Sequence, residues 1–226
     1  MTIKIYENLE QRSDEWLEAR RGILTASQIG QLITPSRLQP ASNDKSRALV
    51  NQLVAERITG LIEETYISAD MQRGIWDEPY AKAAYEQYTN VTVKEVGFIT
   101  KTIDGNTIGY SPDGLVGDDG LIEIKSRRPL HQLATWRAGE VPAYHMAQIQ
   151  TGLYVTERAW CDYISFAGGM ALFVKRVHPD KGWHTAIEKT LHHFEQQATE
   201  ILTEYQQATD GYPIAELTTQ PDEIEI

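Results

Sequence analysis

The sequence predicts an α/β fold, a central mixed β-sheet flanked by helices, and three observations lead to it. Apolar residues recur at helical spacing toward both ends of the chain, whereas the middle alternates apolar and polar residues with the period of strands. Glycine, proline and Asp-Gly pairs punctuate these segments, and no internal repeat appears. At 226 residues, 41% hydrophobic and 23% charged, the composition suits one globular domain burying about 70% of its unfolded surface. We expect a single domain over residues 1–212 and an acidic, disordered tail over 213–226.

Each element has a local reason. "SDEWLEARRG" (13–22) has an N-cap serine, acids in its first turn and a terminal glycine, the marks of a short helix. "TASQIGQLI" (25–33) places Thr25 or Ser27 to cap a second helix. Residues 34–46 are polar with two prolines, which predicts a mobile loop. "SRALVNQLVAERITG" repeats Val50, Leu53, Val54 and Ile58 and stops at Gly60, an amphipathic helix. Residues 69–88 are helical again, but Pro79 predicts a kink or a new start. "VTVKEVGFIT" and "NTIGYS" read as strands around the Asp104-Gly105 turn, and "LIEIK" (121–125) is a third. Pro142 opens a helix through "PAYHMAQIQTGLYV". "AWCDYISF" and "ALFVKRV" are two more strands about Gly168-Gly169. Trp183, Ile187, Leu191, Phe194, Ala198, Ile201 and Tyr205 then mark a long closing helix. The strands are expected to form one mostly contiguous sheet.

Charge and cysteine narrow the function. The net charge of −11 argues against a nucleic-acid partner at first, but eight acids and no lysine or arginine lie beyond residue 189. Residues 1–189 hold the other 24 acids against 21 basic residues, a net of −3, with arginines paired at 20–21 and 127–128. An acidic average can coexist with a basic cleft. Cys161 is the single cysteine and lies in an apolar stretch, so it reads as a buried thiol, and internal disulfides and cysteine metal sites are excluded. No apolar run is long enough to span a bilayer and "MTIKIYENLE" lacks a signal-peptide pattern, so we expect a soluble, cytoplasmic protein without a membrane partner.

"SPDGLVGDDGLIEIKSR" (111–127) carries the chemistry. Strand alternation puts Leu121, Glu123 and Lys125 on one face and Ile122 and Ile124 on the other. The turn at "SPDG" and the return through "VGDDG" bring Asp113 toward Glu123. Two carboxylates and the Ile124 carbonyl are hard oxygen ligands suited to Mg²⁺, and Lys125 beside them can orient a water or stabilise charge on a phosphoryl oxygen. The set suits phosphodiester hydrolysis. Asp-Gly turns and Glu-x-Lys pairs also occur in purely structural hairpins, so further blocks are needed.

They are present. Asp113, nine intervening residues and then "EIK" resemble the PD-(D/E)xK nuclease signature, which implies a restriction-endonuclease-like core. "EWLEARRGILTAS" (15–27), "RGIWDE" (73–78) and "YHMAQIQTGLYVT" (144–156) are similar to the lambda exonuclease-like viral recombinase nucleases, the YqaJ type, in order and spacing over roughly residues 13–180. The resemblance implies a processive exonuclease that uses Mg²⁺, with Mn²⁺ as a substitute and two ions bound, to digest one strand of linear duplex DNA from 5′ to 3′. It further implies a homotrimeric ring, a single-strand annealing partner protein, and phage or prophage origin in a bacterial cytoplasm. By motif position Asp113, Glu123, Ile124 and Glu78 match metal ligands, Lys125 the catalytic lysine, and Gln148 the glutamine beside the metals. Arg20, Thr25 and Ser27 match the pocket for a terminal 5′-phosphate.

Physical arguments accompany these matches. Arg20 with a capped helix start at Thr25–Ser27 would favour phosphate, although Arg21 fits as well. Gln148 and Gln150 differ by about 200° on a helix, so one faces the metal and the other is expected at the surface. Glu78 precedes Pro79 and fits equally an acid at the start of a helix. The family's further arginine past the lysine falls here on His131, which leaves Arg127, Arg128 or Arg137 to grip DNA. His192 and His193 read as surface or packing residues, and the five tryptophans as core, with one available as a wedge at a duplex fork. A structure-specific or site-specific endonuclease of the same fold, and an assembly protein with a degenerate site, are the competing readings.

Overall fold

The computed structural model describes residues 1–62 and 68–217. The order is β1 (Thr2–Tyr6), α1 (Asp14–Arg20), β2 (Leu24–Thr25), a 3-10 turn (Ile29–Gln31), β3 (Ile33–Thr34), β4 (Gln39–Pro40), α2 (Asp44–Thr59) and α3 (Ala69–Thr89). There follow β5 (Val93–Lys94), β6 (Phe98–Ile103), β7 (Asn106–Tyr110), β8 (Gly114–Val116), β9 (Gly120–Ser126) and α4 (Pro129–Ala138). A 3-10 turn (Ala143–His145), α5 (Met146–Thr156), β10 (Trp160–Phe166), β11 (Phe173–Val177) and α6 (Lys181–Ala208) complete it.

The α/β class and the mixed pairing are as expected, but the strands divide into two main sheets. One runs β1-β6-β7-β2 and the other β11-β10-β9-β8-β5. Within "VTVKEVGFIT" the chain leaves the second sheet at Lys94 and enters the first at Phe98, so one apolar run serves both. β9 and β10 are parallel, which requires a long crossover, and α4 and α5 supply it. The β6–β7 hairpin turns at Asp104 and Gly105, with φ of 50° and 86°, the left-handed pair that an Asp-Gly turn needs.

Alternation on β9 sorts its neighbours. Ile122 and Ile124 pack against Ala81 and Tyr85 of α3, whereas Leu121 joins the larger core with Leu153 of α5, Cys161 and Tyr163. Glu123 and Lys125 therefore face α5. On α6, Ile187, Leu191, Phe194 and Ala198 are all buried, each large one contributing about 1.5–3 kcal/mol. Arg57 of α2 clamps this helix through a two-pronged pair with Glu195, both bonds 2.8 Å, and donates to the Gly22 carbonyl.

Several local expectations change. No capped helix starts at Thr25: the segment is a two-residue strand followed by a three-residue 3-10 turn without a side-chain cap. Residues 34–46 are not a plain loop, because Gln39–Pro40 pairs with Ile33–Thr34 and Asn43 closes a capping box with Ser46. α3 passes through Pro79 as one helix; packing of Ala81 and Tyr85, with Tyr85 bonded to Asp162 at 2.8 Å, offsets the roughly 3 kcal/mol that an internal proline costs. Of the tryptophans none is core: Trp76 and Trp136 are exposed, and Trp16, Trp160 and Trp183 are only partly covered. Among the described residues no helix is long and apolar enough to cross a membrane. Asp222, Glu223 and Glu225 of the expected tail lie outside the described residues.

Candidate active site

The site forms where the two sheets meet. β7 ends at Tyr110, and Ser111–Asp113 carry the chain across to β8. Asp113 Oδ2 accepts the Ile124 N–H at 2.6 Å. β8 pairs Gly114 with Ile122, so continuing the register sets Pro112 opposite Ile124, and a proline has no N–H for the Ile124 carbonyl. The β8–β9 register thus offers that carbonyl no partner from β8. Glu123 is fully buried and its Oε2 accepts the Tyr110 hydroxyl at 3.1 Å. Its Oε1 is 2.6 Å from Lys125 Nζ, but the contact lacks hydrogen-bond alignment and this buried oxygen has no aligned donor. Lys125 Nζ instead donates to Gln148 Oε1 at 3.0 Å.

Electrostatics favour an added cation. Burial, then the negative charges of Glu123 and Glu78, push the Asp113 carboxyl well up, against the opposing pull of Lys125 and the Ile124 N–H. Burial would lower the Lys125 ammonium, but Glu123 and Asp113 together outweigh it and hold the group protonated. Two converging carboxylates and a backbone carbonyl, with Glu123 Oε1 facing the Lys125 ammonium without an aligned hydrogen bond, fit a hard divalent ion such as Mg²⁺ or Mn²⁺. Among the described residues no three His, Cys, Asp or Glu side chains converge to hold a metal alone. Glu78, the third candidate acid, is instead paired with Arg12, whose Nη2 donates to its Oε2 at 2.9 Å.

A cavity of about 200 Å³ adjoins this centre, lined by Arg20, Thr25, Ser27, Ser111, Trp16 and Gln148 among others. Arg20 donates to Ser111 Oγ at 3.0 Å and stacks on the Trp16 ring at 3.9 Å. Burial lowers its guanidinium to about 10, partly countered by Glu56, which still leaves it charged at neutral pH. Thr25 Oγ1 lies 3.2 Å from Ser27 Oγ and donates to Gln28 Oε1 at 2.7 Å. Hydroxyls and a guanidinium, rather than a helix start, make this wall. Arg21 points elsewhere, held by Glu18 at 2.6 Å and the Gly60 carbonyl at 2.9 Å. Gln150 is not at the surface: it is buried, bonded to the His178 carbonyl and the Asp180 N–H, both at 2.9 Å. Gln148 is the one that meets Lys125.

A larger cavity of about 650 Å³ opens beyond Lys125, and Arg127 and Arg128 line it with Arg73, Ser126, Glu78 and His131. Arg127 donates to Tyr144 Oη and lies 3.2 Å from His145 Nε2, while Arg128 binds Asp70 at 2.9 Å. Arg137 is exposed in the last turn of α4, outside the walls of these cavities. Sequence reasoning missed Arg12, Tyr110, Ser111, Arg73 and His145. Arg73, Ser111 and His145 fall inside the motif blocks, so proximity was a signal for them. Arg12 and Tyr110 reach the site only through contacts distant in sequence.

Residues 15–159 match the YqaJ-like viral recombinase domain family. Among solved structures, an alkaline exonuclease (LHK-Exo) from Laribacter hongkongensis is 32% identical with a TM-score of 0.77, covering 88% of this chain and 98% of that one. The same enzyme in complex with dAMP aligns over the same shares at 32% identity with a TM-score of 0.78. A phage related exonuclease from Haemophilus somnus 129PT, 11% identical with a TM-score of 0.60 over 81% of this chain and 96% of that one, shares the fold. No curated protein shows significant sequence similarity.

Proposed function

From the premise that this chain belongs to the YqaJ-like viral recombinase family and is an exonuclease, we propose that it digests one strand of linear duplex DNA from the 5′ end, processively and with divalent metal. One observation carries the polarity: Gln148 lines the phosphate-sized cavity and accepts the Lys125 ammonium, so the two half-sites are one side chain apart. A terminal 5′-phosphate held by Arg20, Thr25 and Ser27 would present the next phosphodiester to Lys125, Glu123 and Asp113. A 3′-hydroxyl end lacks the doubly charged terminal phosphate that the guanidinium would hold in two-pronged fashion.

Asp113, Glu123 and the Ile124 carbonyl, with Glu78 as a further acid, would hold two Mg²⁺ or Mn²⁺ ions. The ions supply Lewis-acid polarisation of the scissile phosphate and activation of a water. Tyr110 orients Glu123 through its hydroxyl, and Gln148 keeps Lys125 turned toward the site, where its ammonium offsets charge on the phosphoryl oxygens. Arg127 and Arg128 offer cations to the duplex backbone in the larger cavity, and Arg137 a peripheral one. Under this reading three copies encircle DNA, and the 3′ strand passes to an annealing protein in the cytoplasm of the host of the encoding phage or prophage. The acidic tail keeps DNA off the outer surface or docks that partner.

The test is digestion of linear duplexes with 5′-phosphate or 5′-hydroxyl ends, and of a closed circle, with and without Mg²⁺. Mononucleotide release from the phosphorylated strand only with Mg²⁺ is expected. Cutting of the circle would favour an endonuclease, and equal use of both ends would remove the phosphate cavity from the mechanism.

A further inference from the structure

Arg12 stands where three cavities meet. It lines the phosphate cavity with Arg20, the larger cavity with Lys125, and a third of about 570 Å³ on the far side of Glu78. That third cavity is acidic, with Glu7, Glu10, Glu86 and Glu95 joining Glu78 and Asp113 in its wall. Arg12 also has a left-handed backbone, φ 74°, which non-glycine residues seldom adopt. The neighbours impose it: the Gln11 side-chain amide donates to the Val96 and Pro112 carbonyls at 3.3 and 2.9 Å, and the Ser13 N–H to the Glu10 carbonyl at 3.2 Å. A strained residue fixed on both sides and aimed at a functional acid is a placement that folding alone does not require. Its guanidinium bonds Glu78 Oε2, and among the described residues it makes no other hydrogen bond.

We propose that Arg12 is a latch that weakens cation binding at Glu78 until a 5′-phosphate end is loaded. In the free protein the guanidinium satisfies Glu78 and competes with a cation for it. A terminal phosphate in the adjoining cavity carries about −1.5 to −2 charges and takes two-pronged arginine bonds, so it competes with a single carboxylate contact for the same group. The Arg12 side chain is 50% exposed, and an exposed pair is worth a factor of about 1.5–5 in binding, weak enough to exchange. Reciprocity follows: if the phosphate end raises affinity for metal, metal raises affinity for the phosphate end by the same factor. The inference rests on reading Asp113, Glu123 and Glu78 as metal ligands.

The experiment titrates Mn²⁺ and reads the free ion by its paramagnetic resonance, so no turnover is needed. The proteins are the full chain, Arg12→Gln, Glu78→Gln, the double variant and Asp113→Asn. Each is measured alone and with a short duplex whose first linkages are phosphorothioates, ending in 5′-phosphate or 5′-hydroxyl. Arg12→Gln should bind Mn²⁺ about 2–5-fold more tightly than wild type without DNA, and the gain should vanish when Glu78 is also Gln. In wild type the phosphorylated duplex should tighten Mn²⁺ over the hydroxyl duplex, and in Arg12→Gln it should not. An Arg12→Gln protein that binds like wild type, or a gain that survives Glu78→Gln and so reports bulk charge alone, overturns the latch. Should Arg12→Gln not fold, Glu78→Gln decides alone: its Mn²⁺ binding must be blind to the 5′-phosphate. Asp113→Asn separates the premises. If it binds Mn²⁺ like wild type, the metal reading itself fails.

Discussion

Replacing Tyr110 by phenylalanine removes one oxygen and tests what holds Glu123. Tyr110 is 1% exposed, and burial reinforced by Glu123 and Cys161 keeps its hydroxyl protonated and able to donate. The carboxylate it serves is wholly buried, with Oε1 already lacking an aligned donor, so the Tyr110→Phe variant would leave both oxygens without one. A hydrogen bond to a charged group contributes about 1.5–3 kcal/mol, and the 3.1 Å length places this one near the lower end, about 1.5–2 kcal/mol. For a chain of this size that is a fall in Tm of about 3–8 °C. Thermal melting with and without saturating Mn²⁺ is the assay. The deficit should shrink with Mn²⁺, because a cation satisfies the Glu123 carboxylate that the hydroxyl served through Oε2. A variant that melts within a degree of wild type, or whose deficit ignores Mn²⁺, would refute the idea that Tyr110 stands in for a cation at Glu123.

Lys125→Met should cut turnover about 10²–10³-fold while Mn²⁺ binding persists, measured by single-turnover digestion beside metal titration. Gly152→Ala places a Cβ 2.7 Å from the Tyr110 ring, so about 1–3 kcal/mol should be lost as a lower urea midpoint with unchanged slope. Arg57→Ala breaks the pair with Glu195 and the bond to Gly22, and should cost about 1.5–3 kcal/mol by the same assay. Burial, with Lys125 and Arg127 nearby, lowers His145 to about 3, so the unfolded chain binds a proton that the folded one refuses between pH 6.5 and 3. Stability from this group is full above pH 6.5 and falls as pH drops, by up to about 2 kcal/mol at pH 5, and His145→Gln should flatten that slope in urea titrations.

The parts of the site legible in sequence are those with local causes. Period-two alternation alone put Glu123 and Lys125 on one face, and the Asp-Gly turn set the β6–β7 hairpin. α4 was not legible because its pattern is inverted: Gln132 and Thr135 are buried while Leu130, Leu133 and Trp136 are exposed. Gln132 is stable in the interior because it bonds the Ser165 and Ala171 carbonyls, partners more than thirty residues away. β1 is an edge strand whose apolar residues Ile3 and Ile5 are both exposed, so its pairing with β6 leaves little periodic trace. Thr25 misled because a good capping residue needs a helix after it, and here pairing of Leu24–Thr25 with β7 claims the backbone first. Arg12 and Tyr110 depended on which distant strands come together.

The seam between the sheets acts as a caliper. One jaw is Asp113, on the three-residue passage out of β7, and the other is Glu123, set in β9 yet tethered by Tyr110 from the opposite sheet. Asp113 is held to β9 by the Ile124 N–H, so what the packing of the two sheets governs is the reach of Tyr110 to Glu123. Loosening that packing releases Glu123 from its tether while every strand ladder, and Asp113 on β9, remains in place. Catalysis should thus fail on heating some degrees before the backbone unfolds, and a covalent staple across the seam should narrow that interval from below.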